Sequence, residues 1–198
     1  MKRFAIVCGL LLLSSLAIAQ SNPPSSVEET IHKGTLDLNA FVSGGSGVGG
    51  RSDDKFFYAG GHFGWVLSSD HGGGRFRGNF EWAGDVIPIY VVFQPDYAAK
   101  GGSITPVIWR WNFTRGKRIA PYIQAAGGLL VTTRDLPQFT YNVNFTPQGG
   151  GGVHFFVRDH QAITAEVSAV HISNASLGDH NSGINASIHF RLGYTWFR

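Results

Sequence analysis

Residues 75–92 read RFRGNFEWAGDVIPIYVV. Phe76, Phe80, Trp82, Val86 and Tyr90 fall on one side of an extended chain, and Arg75, Arg77, Asn79, Glu81 and Asp85 on the other. Side chains alternate across a strand with a period of two, so this segment is a strand with one apolar and one charged face.

The same period recurs on both sides of it. Ile188, Phe190, Leu192, Tyr194 and Trp196 alternate with Ser187, His189, Arg191 and Thr195, and Trp109 and Trp111 flank Arg110. Alternation and turn residues mark eight strands, roughly at 35–46, 55–67, 75–92, 104–113, 118–132, 144–157, 160–173 and 186–197. No stretch between 35 and 197 shows a helical period. Alternation alone does not say which face points inward, because a soluble barrel would bury the aromatics. Connection lengths help decide it: long near 47–54, 93–103, 133–143 and 174–185, short near 68–74, 114–117 and 158–159. That asymmetry is the habit of outer-membrane barrels, with long extracellular loops and short periplasmic turns. The expected fold is all-β, an eight-stranded antiparallel transmembrane β-barrel, with Tyr194 and Trp196 at the periplasmic boundary. An eight-stranded interior is filled by side chains, so Arg75, Glu81, Asp85, Arg110, Glu166 and Arg191 are expected to form a paired polar plug with no channel. The prolines at 88, 106, 121 and 147 are expected toward strand ends, where a missing ladder donor is tolerated.

Lys2 and Arg3 precede an apolar run from Phe4 to Ala19 that closes on Ala17-Ile18-Ala19, the pattern of a secretory signal peptide. The run is shorter than the roughly 20 residues a spanning helix needs. The organisation is therefore a signal at 1–19, an N-terminal segment at 20–34 and the barrel at 35–198, placed in the outer membrane. The single cysteine, Cys8, leaves with the signal, so no disulfide or thiolate site remains. Lys2 and Arg3 leave too, which brings the net charge to about +1 and removes any electrostatic reason to invoke nucleic acid.

The glycine runs at 44–50, 72–74 and 149–152 are not followed by the Lys and Ser or Thr of a phosphate loop. His62, His154 and His189 fall on lumen faces and are expected as hydrogen-bonded interior residues rather than metal ligands. No metal and no cofactor is expected. The seventh segment breaks the outward pattern: Ile163, Ala165, Val167 and Ala169 continue on the same face into His171 and Ser173. Residues two apart on a strand face lie roughly 7 Å apart at the base, within reach for a histidine to take a hydroxyl proton. Two readings stand side by side: a nucleophile and base facing lipid, or a strand end that has reached the headgroups, where polar side chains cost little.

His171-Ile172-Ser173-Asn174-Ala175, followed by Asn181-Ser182-Gly183-Ile184-Asn185, resembles the signature of the PagL-type lipid A 3-O-deacylases. Phe63-Gly64-Trp65-Val66-Leu67, Arg77-Gly78-Asn79-Phe80-Glu81-Trp82, Arg110-Trp111-Asn112-Phe113, Pro121-Tyr122 and Phe145-Thr146-Pro147-Gln148-Gly149-Gly150 resemble that family's recurring segments. The resemblance implies an eight-stranded outer-membrane barrel with its active site on the outer surface. It implies Ser173 as nucleophile, His171 as general base, Asn174 as oxyanion donor, and Asn185 in the third catalytic position. The substrate it implies is the ester-linked acyl chain at the 3-position of lipid A in lipopolysaccharide, reached among the outer-membrane lipids. Two positions depart from the pattern: Ser176 stands where the family carries Gly, and Asn185 where its best-known form has Glu. Asn can orient a histidine but brings no charge. A strand unbroken from 185 would turn Asn185 to the lumen with Ser187 and His189, so it needs a bulge to face His171. Asp179 and His180 are alternative orienting groups, and Glu166, on the lumen face, is expected to be structural. The rival reading is a non-enzymatic structural or interaction barrel whose loops carry the function. Acyl-length preference and any homo-oligomer are left open.

Overall fold

The computed structural model describes residues 26–178, 180 and 183–198, with the backbone alone for Asn185. The signal peptide expected at 1–19 lies outside the described residues, as do Asp179, Asn181 and Ser182. A short helix α1 (Val27–Thr30) precedes β1 (Leu36–Gly47), β2 (Lys55–Val66), β3 (Gly78–Phe93), β4 (Ala98–Phe113), β5 (Ile119–Thr132), β6 (Val143–Phe145), β7 (Gln148–Arg158), β8 (Gln161–Ile172) and β9 (Ile184–Phe197). Each strand pairs antiparallel with its neighbour, and β9 returns to β1, so the sheet closes. β6 and β7 both pair with β5, through Leu129–Val131 and Ile119–Ala126. They are two halves of one stave broken at Thr146 and Pro147, where proline supplies no ladder N–H. The barrel therefore has the eight staves expected, and closure removes every sheet edge.

Several expectations about its parts are corrected. Arg75 and Phe76 are not in a strand but in an exposed 3-10 turn, Gly74–Phe76, so Arg75 takes no part in the plug. The stretch 93–103 is not a long loop: β3 and β4 run on to leave a four-residue turn, 94–97. Ala98, Ala99, Gly101 and Gly102 pair as strand without the bulky alternation that marks one in sequence. Pro88 and Pro106 are interior to 16-residue strands, each at a register shift, between Ile87 and Tyr90 and between Ile104 and Val107. The bulge at Pro88 reverses the parity of the residues after it, so Tyr90, expected toward lipid, is buried inside while Ile89 is exposed.

The outer surface is an apolar belt in which Trp65, Val86, Trp109, Ile123, Phe190 and Leu192 are exposed, with Phe80 stacked on Trp109. Such a belt needs hydrocarbon around it, as an outer-membrane barrel has. The interior is layered. At the end that carries α1 and the C-terminus, Val27 and Ile31 of the N-terminal segment pack against Val66, Ala120, Phe156, Ala162 and Phe197. Burying a side chain of that size contributes roughly 1.5–3 kcal/mol. Ser26 caps α1 reciprocally with Glu29, Asn79 donates to the Ile31 carbonyl at 2.8 Å, and Arg77 pairs with Glu28 and Asp70. This plug closes the mouth.

The middle layer is polar. Arg110 donates to Asp37 at 2.9 Å, Glu81 at 3.1 Å and Gln124 at 3.1 Å, and Asn112 donates to Glu81 at 2.7 Å. Arg191 donates to Asp85 at 2.7 Å, and Tyr122 to Glu166 at 2.9 Å. Register puts charged partners opposite each other, Glu81 against Arg110 and Glu166 against Arg191. The interior histidines are hydrogen-bonded: His62 Nδ1 contacts Asp85 Oδ1 at 2.6 Å, His154 contacts Thr164 Oγ1 at 2.8 Å, and His189 contacts Ser187 Oγ at 3.0 Å. The third layer, at the loop end, is apolar rather than polar, and includes Phe41, Phe56, Tyr58, Tyr90, Leu130, Leu136, Ile172 and Ile184. It was hidden because the parity reversal at Pro88 and the loop residue Leu136 bring apolar side chains inside.

Candidate active site

β8 alternates buried and exposed positions along its length. Ile163 and Val167 are exposed on the face toward lipid, and His171 and Ser173 continue that face as half-buried residues at its loop end. The backbone there is pinned to the broken stave. Phe145 N–H donates to the Ser173 carbonyl at 2.7 Å, Ser173 N–H returns to the Phe145 carbonyl at 3.1 Å, and His171 N–H donates to the Pro147 carbonyl at 3.0 Å. The His-x-Ser pair is thus held on paired backbone rather than on a free loop. Phe145 and Pro147, which sequence reasoning did not place in the site, do the holding; the only signal for them was their position in a recurring family segment.

Below the pair the lipid face is nearly bare. Ala169 lies opposite Gly149, and Gly149 opposite Ala125, all exposed. A Cβ on Gly149 would meet nothing nearer than the Gln124 carbonyl at 3.8 Å, so packing does not require glycine there. One row further down, exposed Val167 and Ile123 flank Gly151. The result is a shallow recess floored by backbone and banked by aliphatic side chains, leading from His171 into the apolar belt.

Beyond Ser173 the chain turns sharply. Ala175 and Ser176 both take left-handed backbone, with φ of 50° and 64°. That conformation favours glycine, and position 176 is where the resembling family carries it. Asn174 is 1% exposed; its Oδ1 accepts from Ser176 N–H at 2.9 Å and its Nδ2 donates to the His180 carbonyl at 2.8 Å. Its side chain therefore stitches the turn, with one of its two amide hydrogens spent on His180. Position 178 faces Tyr141 of the preceding loop, where a Cβ would come within 3.3 Å of the Tyr141 side chain.

On β9 the register shifts where Asn185 lies. Val170 pairs with Ser187 but Ile172 pairs with Ile184, so β9 carries an extra residue across Asn185 and Ala186. The Asn185 side chain and the whole of Asp179 lie outside the described residues. His180 is exposed. Glu166 is on the opposite side of the wall from His171, 5% exposed and hydrogen-bonded to Tyr122.

A family model described as lipid A 3-O-deacylase (PagL) matches residues 48–195. The fold is similar to the crystal structure of the outer membrane enzyme PagL, at 20% identity and a TM-score of 0.56, over 81% of this chain and 98% of that one. It is also similar to the N-terminal β-barrel domain of Pseudomonas aeruginosa OprF, at 13% identity and a TM-score of 0.56, over 85% and 100%. No curated protein sequence matches the chain.

Proposed function

The chain belongs to the lipid A 3-O-deacylase (PagL) family, and from that premise we propose that Ser173 and His171 hydrolyse the 3-position ester from the lipid-facing side of the barrel. The observation that carries this reading is the placement of a hydroxyl and an imidazole on the lipid face of β8, at its loop end, above the recess of Ala169, Gly149 and Ala125. With the loop end extracellular, that is outer-leaflet depth, where the glucosamine esters of lipid A lie. The acyl chain runs down the recess between Val167 and Ile123. His171 takes the Ser173 Oγ proton as the hydroxyl attacks the ester carbonyl, and the tetrahedral oxyanion is stabilised by donors at the turn, with the second amide hydrogen of Asn174 among them. Collapse breaks the bond to the sugar oxygen, which leaves with the proton from His171. Water, deprotonated by His171, then releases the fatty acid and restores Ser173.

Mass spectrometry of lipid A from cells with and without the protein tests the reading. Loss of one 3-hydroxyacyl unit that depends on Ser173 establishes substrate and position together. An unchanged lipid A would favour the rival, a non-enzymatic barrel.

The third member of the constellation is separable by substitution. If Asn185 orients His171, Asn185→Ala lowers deacylation by about ten- to a hundred-fold, because a neutral group contributes position and tautomer but no charge. Asn185→Glu then keeps or raises the rate. A silent Asn185→Ala with a crippled Asp179→Asn transfers the role to the loop acid. Steady-state rates on purified lipid A in detergent measure all three.

A further inference from the structure

The geometry points to a divalent transition-metal site in the polar layer of the lumen, with His62 Nε2, Asp37 and Glu81 as ligands. His62 is 6% exposed, and Asp37 and Glu81 are fully buried. The imidazole nitrogen and one oxygen from each carboxylate lie within 4.8 Å of one another. His62 Nε2 is 3.7 Å from both Asp37 Oδ2 and Glu81 Oε1. That is too long for a hydrogen bond. An imidazolium N–H facing two carboxylates would be drawn to about 2.7–2.9 Å from one of them. Donor atoms about 2.0–2.2 Å from a shared ion sit roughly 3.4 Å apart when tetrahedral, a few tenths of an ångström inside the 3.7 Å from His62 Nε2 to each oxygen, and the three donor atoms all lie within 4.8 Å of one another.

Independent features agree. His62 Nε2 and Asp37 Oδ1 are buried with no hydrogen-bond partner among the described residues. The other ring nitrogen, Nδ1, contacts Asp85 Oδ1 at 2.6 Å. A carboxylate holding the distal N–H of a histidine is the arrangement that fixes the tautomer of a metal ligand and aims its free nitrogen. Gly64 is the residue that lets the ligands meet, since a Cβ there would fall 2.3 Å from Glu81 Oε1 and 3.2 Å from Asp37 Cβ. A water-sized space lined by Asp37, His62, Glu166 and the guanidiniums of Arg110 and Arg191 among others adjoins the cluster.

Charge supplies the sign of the guest. Among the described residues the lumen buries four carboxylates, Asp37, Glu81, Asp85 and Glu166, against two guanidiniums, Arg110 and Arg191. These carboxylates outnumber the guanidiniums, so the layer favours a cation. Arg110 Nη1 donates to the same Asp37 and Glu81 oxygens, but a carboxylate oxygen has a second lone pair to give. One imidazole with two carboxylates suits zinc or manganese better than calcium or magnesium, which prefer all-oxygen shells. The ligands come from β1, β2 and β3, so the ion clamps three staves. It lies inside the wall, whereas His171 and Ser173 lie outside it, so it takes no part in hydrolysis.

The test is elemental analysis of the mature chain folded into detergent micelles with zinc or manganese sulfate and then exchanged into metal-free buffer. The expected result is about one ion per folded chain, and under about a tenth in folded His62→Gln or Asp37→Asn. Folding with cobalt gives visible d–d absorption that disappears when the barrel is unfolded. A folded, heat-modifiable wild-type barrel holding less than about a tenth of an ion after folding with each metal overturns the site. So does a folded His62→Gln barrel that retains as much as wild type. The wild-type stoichiometry decides alone if neither variant folds.

Discussion

Ser173→Ala and His171→Ala are each expected to lower lipid A deacylation by about a thousand-fold or more, and the double variant by no more than either alone. A nucleophile and its base act as one unit: once either is gone, the other has no proton to move, and only binding and oxyanion stabilisation remain. The barrel should be unharmed. Both side chains are half-buried on the lipid face, and the backbone hydrogen bonds to Pro147 and Phe145 are left in place by either substitution. Heat-modifiable migration and unfolding in urea should therefore match wild type while product release on mass spectra vanishes. Two single losses that multiply in the double variant would mean the residues act separately. Glu166→Gln should leave the rate nearly intact, since Glu166 faces Tyr122 across the lumen.

Arg110→Met is the substitution expected to cost most in stability. Arg110 donates to Asp37, Glu81 and Gln124 and lies with its guanidinium carbon 4.2 Å from the centre of the Tyr122 ring. Its removal leaves two carboxylates without their cation, and breaking a buried pair from one side costs about 3–5 kcal/mol. Folding the variants into lipid vesicles with chelator present, and following intrinsic tryptophan fluorescence in urea, measures this. Combining Arg110→Met with Asp37→Asn and Glu81→Gln should recover most of the loss, because the desolvation of three charges goes with them. A single variant as stable as wild type would show that the polar layer sets register rather than stability.

The strands were legible because alternation is a local property; connection lengths were a weaker guide, since 93–103, expected long, closes in four residues and 68–74, expected short, is part of an eleven-residue connection, 67–77. Arg110 flanked by Trp109 and Trp111 already carries both faces of the barrel. What escaped was whatever changes parity. Pro88 sits in a bulge that turns Tyr90 inward, and nothing in the alternation of Trp82, Val86 and Tyr90 announces the extra residue. Ala98 to Gly102 form strand by pairing across to β3 and β5, a long-range cause with no apolar signature. At the candidate site, His171 and Ser173 could be placed on one face because β8 alternates without interruption as far as Val170. Asn185 could not, since its orientation hangs on the register shift between β8 and β9. The turn beyond Ser173 was equally opaque: two consecutive left-handed residues, Ala175 and Ser176, at positions where sequence shows no glycine.

The pair proposed for catalysis, His171 and Ser173, faces outward, and this changes what concentration means for such an enzyme. A pocket open to water samples its substrate in three dimensions, as molecules per litre. As the proposed nucleophile, Ser173 would sample only the annulus of lipid touching β7 and β8, and its substrate would arrive by lateral diffusion in a plane. Saturation is then governed by the mole fraction of lipid A in the leaflet, so neighbouring phospholipids and already deacylated product compete for the same strip of wall merely by occupying it. A leaflet composed almost wholly of substrate would hold the enzyme at saturation throughout, and turnover would be set by how fast product moves aside.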